Sequence, residues 1–158
     1  MQNALHTIKY RRNIGLADAI AVHAAEFVHS LGWNVDVLIP APLGRGRLKE
    51  RGYNQVALVA RPLAYEIGML YAPNGLKKIR ETRSQVGLNI SQRRENVREA
   101  YQADPSVVKR KSVLLMDDVA TTGSTISACT EALLSAGASE VYALTIARAL
   151  SHHDLNRV

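Results

Sequence analysis

An α/β fold, with a mostly parallel twisted sheet flanked by helices, is what this 158-residue chain predicts. Three observations carry the prediction. Apolar runs at 35–39, 113–116 and 141–147 have strand length and are rich in valine, isoleucine and leucine. The run Val113-Leu114-Leu115-Met116 has no polar alternation, as befits a strand buried on both faces. Segments with apolar residues at helical spacing separate the runs, and that alternation builds parallel sheets.

The elements follow in chain order. Leu16, Ile20, Ala24, Phe27 and Leu31 recur at helical spacing, so residues 15–31 are expected to form an amphipathic helix stopped by Gly32. Trp33 should pack just before a buried strand at 35–39, which Pro40 ends. A polar, basic loop, APLGRGRLKERG, comes next. Tyr53, Val56, Ala57, Ala60, Ala64 and Ile67 predict a second helix, and Pro62 predicts a kink or break in it. A short strand is expected at 76–80, no clear period at 81–90, and a third helix from Ser91 with Val97 and Tyr101 on one face. After strand 113–116, helix 124–136 turns Ile126, Cys129 and Leu133 inward and stops at Gly137. Strand 141–147 closes the set.

Length sets one domain, over residues 1–150, with a C-terminal tail over 151–158. No apolar run approaches the ~20 residues of a membrane span, and the N-terminus lacks a signal-peptide core, so a cytoplasmic protein is expected. The single cysteine, Cys129, excludes an intrachain disulfide and an all-cysteine zinc site, and it reads as a small core residue. Net charge is +6 and the pI about 9.7, which suits an anionic ligand, either a polyphosphate or a nucleic acid. Aromatic content of 5% argues against a stacking platform for single strands.

Chemistry concentrates in VLLMDDVATTGST, Val113–Thr125. Ligands of parallel sheets lie outside the carboxyl ends of the strands, where Asp117 and Asp118 are expected. The loop Ala120–Thr125 leads into a helix N-terminus, whose first N–H groups lack helical partners and face positive dipole potential. Thr121, Thr122, Ser124 and Thr125 add hydroxyl donors, and Gly123 lets the backbone come close to a ligand. That set suits a phosphate dianion. The aspartates repel a phosphate, but they accept hydrogen bonds from vicinal hydroxyls or face a hydrated Mg²⁺. Phosphate on one side and a diol on the other describe a ribose 5-phosphate. The alternative is that Asp-Asp merely ends a strand and Thr/Ser merely caps a helix. Neither G-x-x-x-x-G-K-[ST] nor G-x-G-x-x-G is present here.

MDDVATTGST resembles the phosphoribosyl pyrophosphate (PRPP) motif of type I phosphoribosyltransferases. RLKERGYNQ (Arg47–Gln55) after Pro40-Ala41-Pro42, and RETRSQVGL (Arg80–Leu88) with Arg94-Glu-Asn-Val, resemble the ComF/GntX-type branch of that family. The resemblance implies a parallel sheet with a small hood, and Mg-PRPP as ligand. It gives Asp117 and Asp118 the ribose hydroxyls, and Ala120, Thr121, Thr122, Gly123, Ser124 and Thr125 the 5-phosphate. One departure stands out: ComF-type proteins commonly carry an N-terminal zinc ribbon with paired cysteines, and no cysteine pair exists here.

Two basic segments remain. The first, Arg45–Arg51, follows strand 35–39. The family binds pyrophosphate at the loop after its first core strand, which implies the loop from Ala41, Pro42 and Leu43 to Gly44, with Arg47, Lys49 or Arg51 adding charge. The second spans Lys77 to Arg98 and sets Lys77, Lys78, Arg80, Arg83, Arg93, Arg94 and Arg98 against Glu81 and Glu95. In such enzymes a loop closes over the site and excludes water, which implies a lid at 81–90 with Arg80 or Arg83 stabilising departing pyrophosphate. A solvated surface loop is the competing reading of the first segment, and a face for nucleic acid or solvent that of the second.

Two functions are therefore carried forward. One is a phosphoribosyltransferase that uses Mg²⁺ with PRPP, whose acceptor no residue declares. The other is a non-catalytic PRPP- or nucleotide-binding module, or a nucleic-acid-associated one in a ComF-like DNA-uptake system. A homodimer is compatible with either, since the fold often dimerises. Nothing in the sequence calls for a membrane partner.

Overall fold

The computed structural model describes residues 14–80, 100–120 and 122–148. Apolar strands without alternation take the middle of the sheet, because only there are both faces covered. β1 (Val37–Pro40) and β5 (Ser112–Ala120) lie side by side, flanked by β2 (Leu70–Tyr71) and β6 (Glu140–Arg148), in the order β2-β1-β5-β6. All three pairings are parallel. Val37–Ile39 and Val113–Met116 are fully buried.

Side-chain alternation along these strands divides the core in two. Leu38, Leu114 and Met116 point to a layer of α1 (Ile14–Ser30) and α3 (Gln55–Glu66), with Ala17, Ala21, Val59 and Leu63. Val37, Ile39, Val113 and Leu115 point to the other layer, where α5 (Ser124–Ser135) supplies Cys129 and Leu133. The same side holds a separate antiparallel pair, β3 (Leu76–Lys78) and β4 (Tyr101–Ala103), followed by the short α4 (Pro105–Val108). Trp33 stacks on Tyr142 with ring centroids 4.7 Å apart.

The parallel sheet flanked by helices is the architecture expected, and several local expectations are corrected. α1 buries Ala17, Ala21, Ala25 and Val28, whereas Phe27 is 52% and Leu31 38% exposed. Small residues let α1 lie close on α3, so the buried stripe falls on Ala17, Ala21 and Ala25, while Leu16, Ile20 and Ala24 pack half-buried along its edge. The basic loop is largely helical: α2 (Arg45–Arg51) starts from extended Gly44 and ends at Gly52, whose left-handed backbone (φ 74°) directs its N–H to Leu48 O at 2.8 Å. α3 runs through Pro62 without a break, because Pro62 removes one backbone donor while packing on α1 and the sheet holds the rest. Tyr101 belongs to strand β4 and not to a helix, since it pairs with Lys78. The lid at 81–90, the helix from Ser91 and the tail at 151–158 lie outside the described residues. Among the described residues no helix is long and apolar enough to cross a membrane.

Candidate functional site

Asp117 and Asp118 lie inside β5, not at its end. β6 continues to pair with β5 through Asp117–Thr145, Val119–Ala147 and Ala120–Arg148, so the strand reaches Ala120. β1 stops opposite Met116. The aspartates thus stand beyond the carboxyl end of β1, half-buried at a step in the sheet. Their parity separates them. Asp118 shares that of Leu114 and Met116 and meets Gln55 of α3, whose Nε2 donates to Asp118 Oδ2 at 3.0 Å. Asp117 shares that of Val113 and Leu115, and its charge bears on Tyr101 and Cys129. Each carboxylate also accepts a backbone N–H of the next residue, Asp118 N–H to Asp117 Oδ1 and Val119 N–H to Asp118 Oδ1, both 2.8 Å.

The phosphate candidate sits at the start of α5. Gly123 is the N-cap, with φ 74° and no side-chain cap bond. A Cβ added there would meet nothing within 4 Å, so the glycine is required by its backbone and leaves open space above it. The Thr122 and Ser124 hydroxyls lie 2.8 Å apart; Ser124 is buried, Thr122 exposed and Thr125 half-buried. Ala120 ends β5, and Thr121 lies outside the described residues.

Across the step lies the 41–44 segment. The Ala41 N–H donates to Met116 O at 2.7 Å, and Pro42 has no N–H. The amides this loop offers an anion are therefore those of Leu43 and Gly44. On α2, Arg47 and Arg51 are four residues apart and share a face, while Lys49 is turned away from both. Arg47 is exposed, and its charge reaches Tyr101. Arg51 is half-buried and engaged. Arg80 is exposed just past β3, and Arg83 is outside the described residues.

Tyr101 of β4 and Cys129 of α5 are buried in the core layer on the Asp117 side of the sheet. Burial pushes the Tyr101 phenol well above its ordinary range, and the Cys129 and Asp117 charges add to that. A hydrogen bond from the Thr125 side chain and the Arg47 charge act the other way. Burial, then Asp117, raises the Cys129 thiol, against the charge of Lys78. Cys129 is the core residue expected. Sequence reading gave Tyr101, Asn54 and Gln55 no site role. Asn54 before an apolar helical period is an N-cap signal that could have flagged it, whereas no local pattern marks Gln55.

No group of three or more His, Cys, Asp or Glu able to hold a metal occurs among the described residues. Asp117 and Asp118 are half-buried carboxylates, the oxygen donors that a hydrated Mg²⁺ accepts.

A parallel sheet with an open strand–helix turn at Gly123 and two carboxylates beside it fits the phosphoribosyltransferase class. The chain belongs to the phosphoribosyl transferase domain family, which it matches over residues 12–156. It is 33% identical over 132 residues to competence protein F of Haemophilus influenzae, covering 82% of this chain and 57% of that protein. It is 30% identical over 151 residues to DNA utilization protein YhgH of Salmonella typhimurium, covering 92% of this chain and 66% of that protein. The chain therefore spans less than two thirds of either relative. Among solved structures, a B. subtilis glutamine PRPP amidotransferase complexed with ADP and GMP superposes with a TM-score of 0.57 at 23% identity, over 83% of this chain and 26% of that one. Adenine phosphoribosyltransferase from Thermoanaerobacter pseudethanolicus gives 0.57 at 18% identity, over 87% and 70%. These likenesses establish the fold.

Proposed function

We propose that the chain binds Mg-PRPP and transfers the phosphoribosyl group to a nitrogen nucleophile, releasing pyrophosphate. The observation that carries this reading is left-handed Gly123 at the start of α5, open above, beside two carboxylates that stand past the end of β1. Amides and hydroxyls of 120–125 take the 5-phosphate, and Asp117 and Asp118 take the ribose hydroxyls. Leu43 and Arg47 hold the pyrophosphate, with Ala41 and Pro42 shaping the loop and Arg51 adding charge. Arg80 and Arg83 stabilise negative charge on the leaving group. Magnesium, when bound with the substrate, neutralises charge on the pyrophosphate oxygens. The acceptor is a nucleobase or an amine.

A second reading is a nucleotide-binding module of a DNA-uptake system that performs no transfer. The names of the two relatives and the net charge of +6 favour it. One experiment separates the two: pyrophosphate release from Mg-PRPP across a panel of bases and amines, run beside thermal-shift binding. Release with any acceptor supports transfer. Binding without release across the panel supports the module, and no binding sinks both nucleotide readings.

A further inference from the structure

Residues Asn54 and Gln55 belong to the RLKERGYNQ motif, and the proposed chemistry gives them nothing to do. They are consecutive, yet they reach different parts of the site. Asn54 caps α3: its Oδ1 accepts the Val56 N–H at 3.0 Å, while its Nδ2 donates to Ala41 O at 2.9 Å. Gln55 Nε2 donates to Asp118 Oδ2 at 3.0 Å. Since the Ala41 N–H is itself bonded to Met116 O, the links close a ring from the end of β1 through β5, Asp118 and α3 back to Ala41.

Gln55 is only 5% exposed, and its Oε1 is buried with no partner. An unsatisfied buried carbonyl is destabilising, and an apolar side chain of the same shape would avoid it. Packing alone therefore disfavours glutamine here. What glutamine supplies is a donor that, with the Val119 N–H on Oδ1, engages both oxygens of Asp118 and sets the plane of that carboxylate.

We infer that Asn54 and Gln55 are positioning residues: a two-armed strut on the N-terminus of α3 that fixes the 41–44 loop and Asp118 relative to each other. In the proposed reading, on which this rests, one arm serves the pyrophosphate half of the site and the other the ribose half.

The full chain is tested with two probes, ribose 5-phosphate and magnesium pyrophosphate, by calorimetric titration and thermal unfolding. Gln55→Met is expected to unfold at or above the wild-type temperature and to lose about tenfold in ribose 5-phosphate affinity, as for a lost hydrogen bond to a charged group. Its pyrophosphate affinity should stay within about twofold. Asn54→Ser keeps a cap oxygen but loses the donor to Ala41, and should show the opposite split. Asn54→Asp, also a strong cap, makes the same test if the serine variant unfolds. Equal weakening of both probes in both variants, or no weakening, overturns the strut while leaving the site reading intact. A wild type that binds neither probe overturns the site reading, and the strut with it.

Discussion

Pro40 stands opposite Met116 in the parallel ladder, and there β1 ends while β5 runs on beside β6. This one-sided continuation opens the step on which Asp117 and Asp118 sit. Both are half-buried, so Asp117→Asn with Asp118→Asn should fold with a thermal midpoint near wild type. Wild type at a hundred times its Kd gains about 2.7 kcal/mol from a native-state ligand, several degrees for a chain this long. The double variant should lose most of the shift produced by Mg-PRPP. A shift that survives both substitutions places the ligand elsewhere.

Gly123 and Gly52 share the same backbone conformation, φ 74°, and neither has an atom within 4 Å of an added Cβ. Alanine at either position is therefore expected to destabilise by about 1–2 kcal/mol through the left-handed backbone alone, measured by urea unfolding. Only Gly123→Ala should also weaken binding of inorganic phosphate, because only there does the new methyl stand over the first amides of α5. Equal phosphate binding by the two variants would remove the cradle from its assigned place.

Cys129 and Tyr101 make a prediction for alkaline pH. Burial raises both above their unfolded values of 9.0 and 10.0, so the native state favours their neutral forms. Stability from a raised pKa is complete below the unfolded pKa and is lost as pH rises toward the folded one. Unfolding free energy should thus hold up to about pH 9 and then fall by about 1.4 kcal/mol per pH unit for each group that titrates. Cys129→Ala starts lower because of its cavity but should lack the decline that begins near pH 9; Tyr101→Phe should lack the later one. The native thiol should react with a disulfide reagent only at the rate of unfolding.

The central strands were legible because burial on both faces leaves unbroken apolar runs, as in Val113–Met116. The strand–helix turn at Gly123 was legible because the glycine and its hydroxyl neighbours are local in sequence. What escaped depended on tertiary partners. The continuation of β5 past Asp117 needs β6 beside it, and nothing in Asp-Asp announces that. The inward face of α1 follows from close approach to α3, which favours Ala17, Ala21 and Ala25 over Phe27. Gln55 finds Asp118 across 63 positions, a contact no local pattern encodes.

The basic run Arg45–Arg51 is one charged stretch in the sequence, and its helical form divides it. At 100° per residue, Arg47 and Arg51 lie on one face while Arg45 and Lys49 lie on the other. The charge of Arg47 bears on Tyr101, which also meets the Thr125 side chain in the first turn of α5, and Lys78 Nζ stands 5.9 Å from the centroid of the same ring, so Arg47 is the α2 cation whose charge reaches the start of α5. Arg47→Ala should therefore weaken magnesium pyrophosphate binding about tenfold or more, the range for a hydrogen bond to a charged group. Lys49→Ala removes the same charge from the opposite face, and it should change affinity little at ~0.15 M salt, where exposed charges are screened within about 8 Å. Titration of both variants at two salt concentrations checks this. If Lys49→Ala matches Arg47→Ala at each concentration, the pyrophosphate is held by the general field of α2, and Arg47 has no particular claim to it.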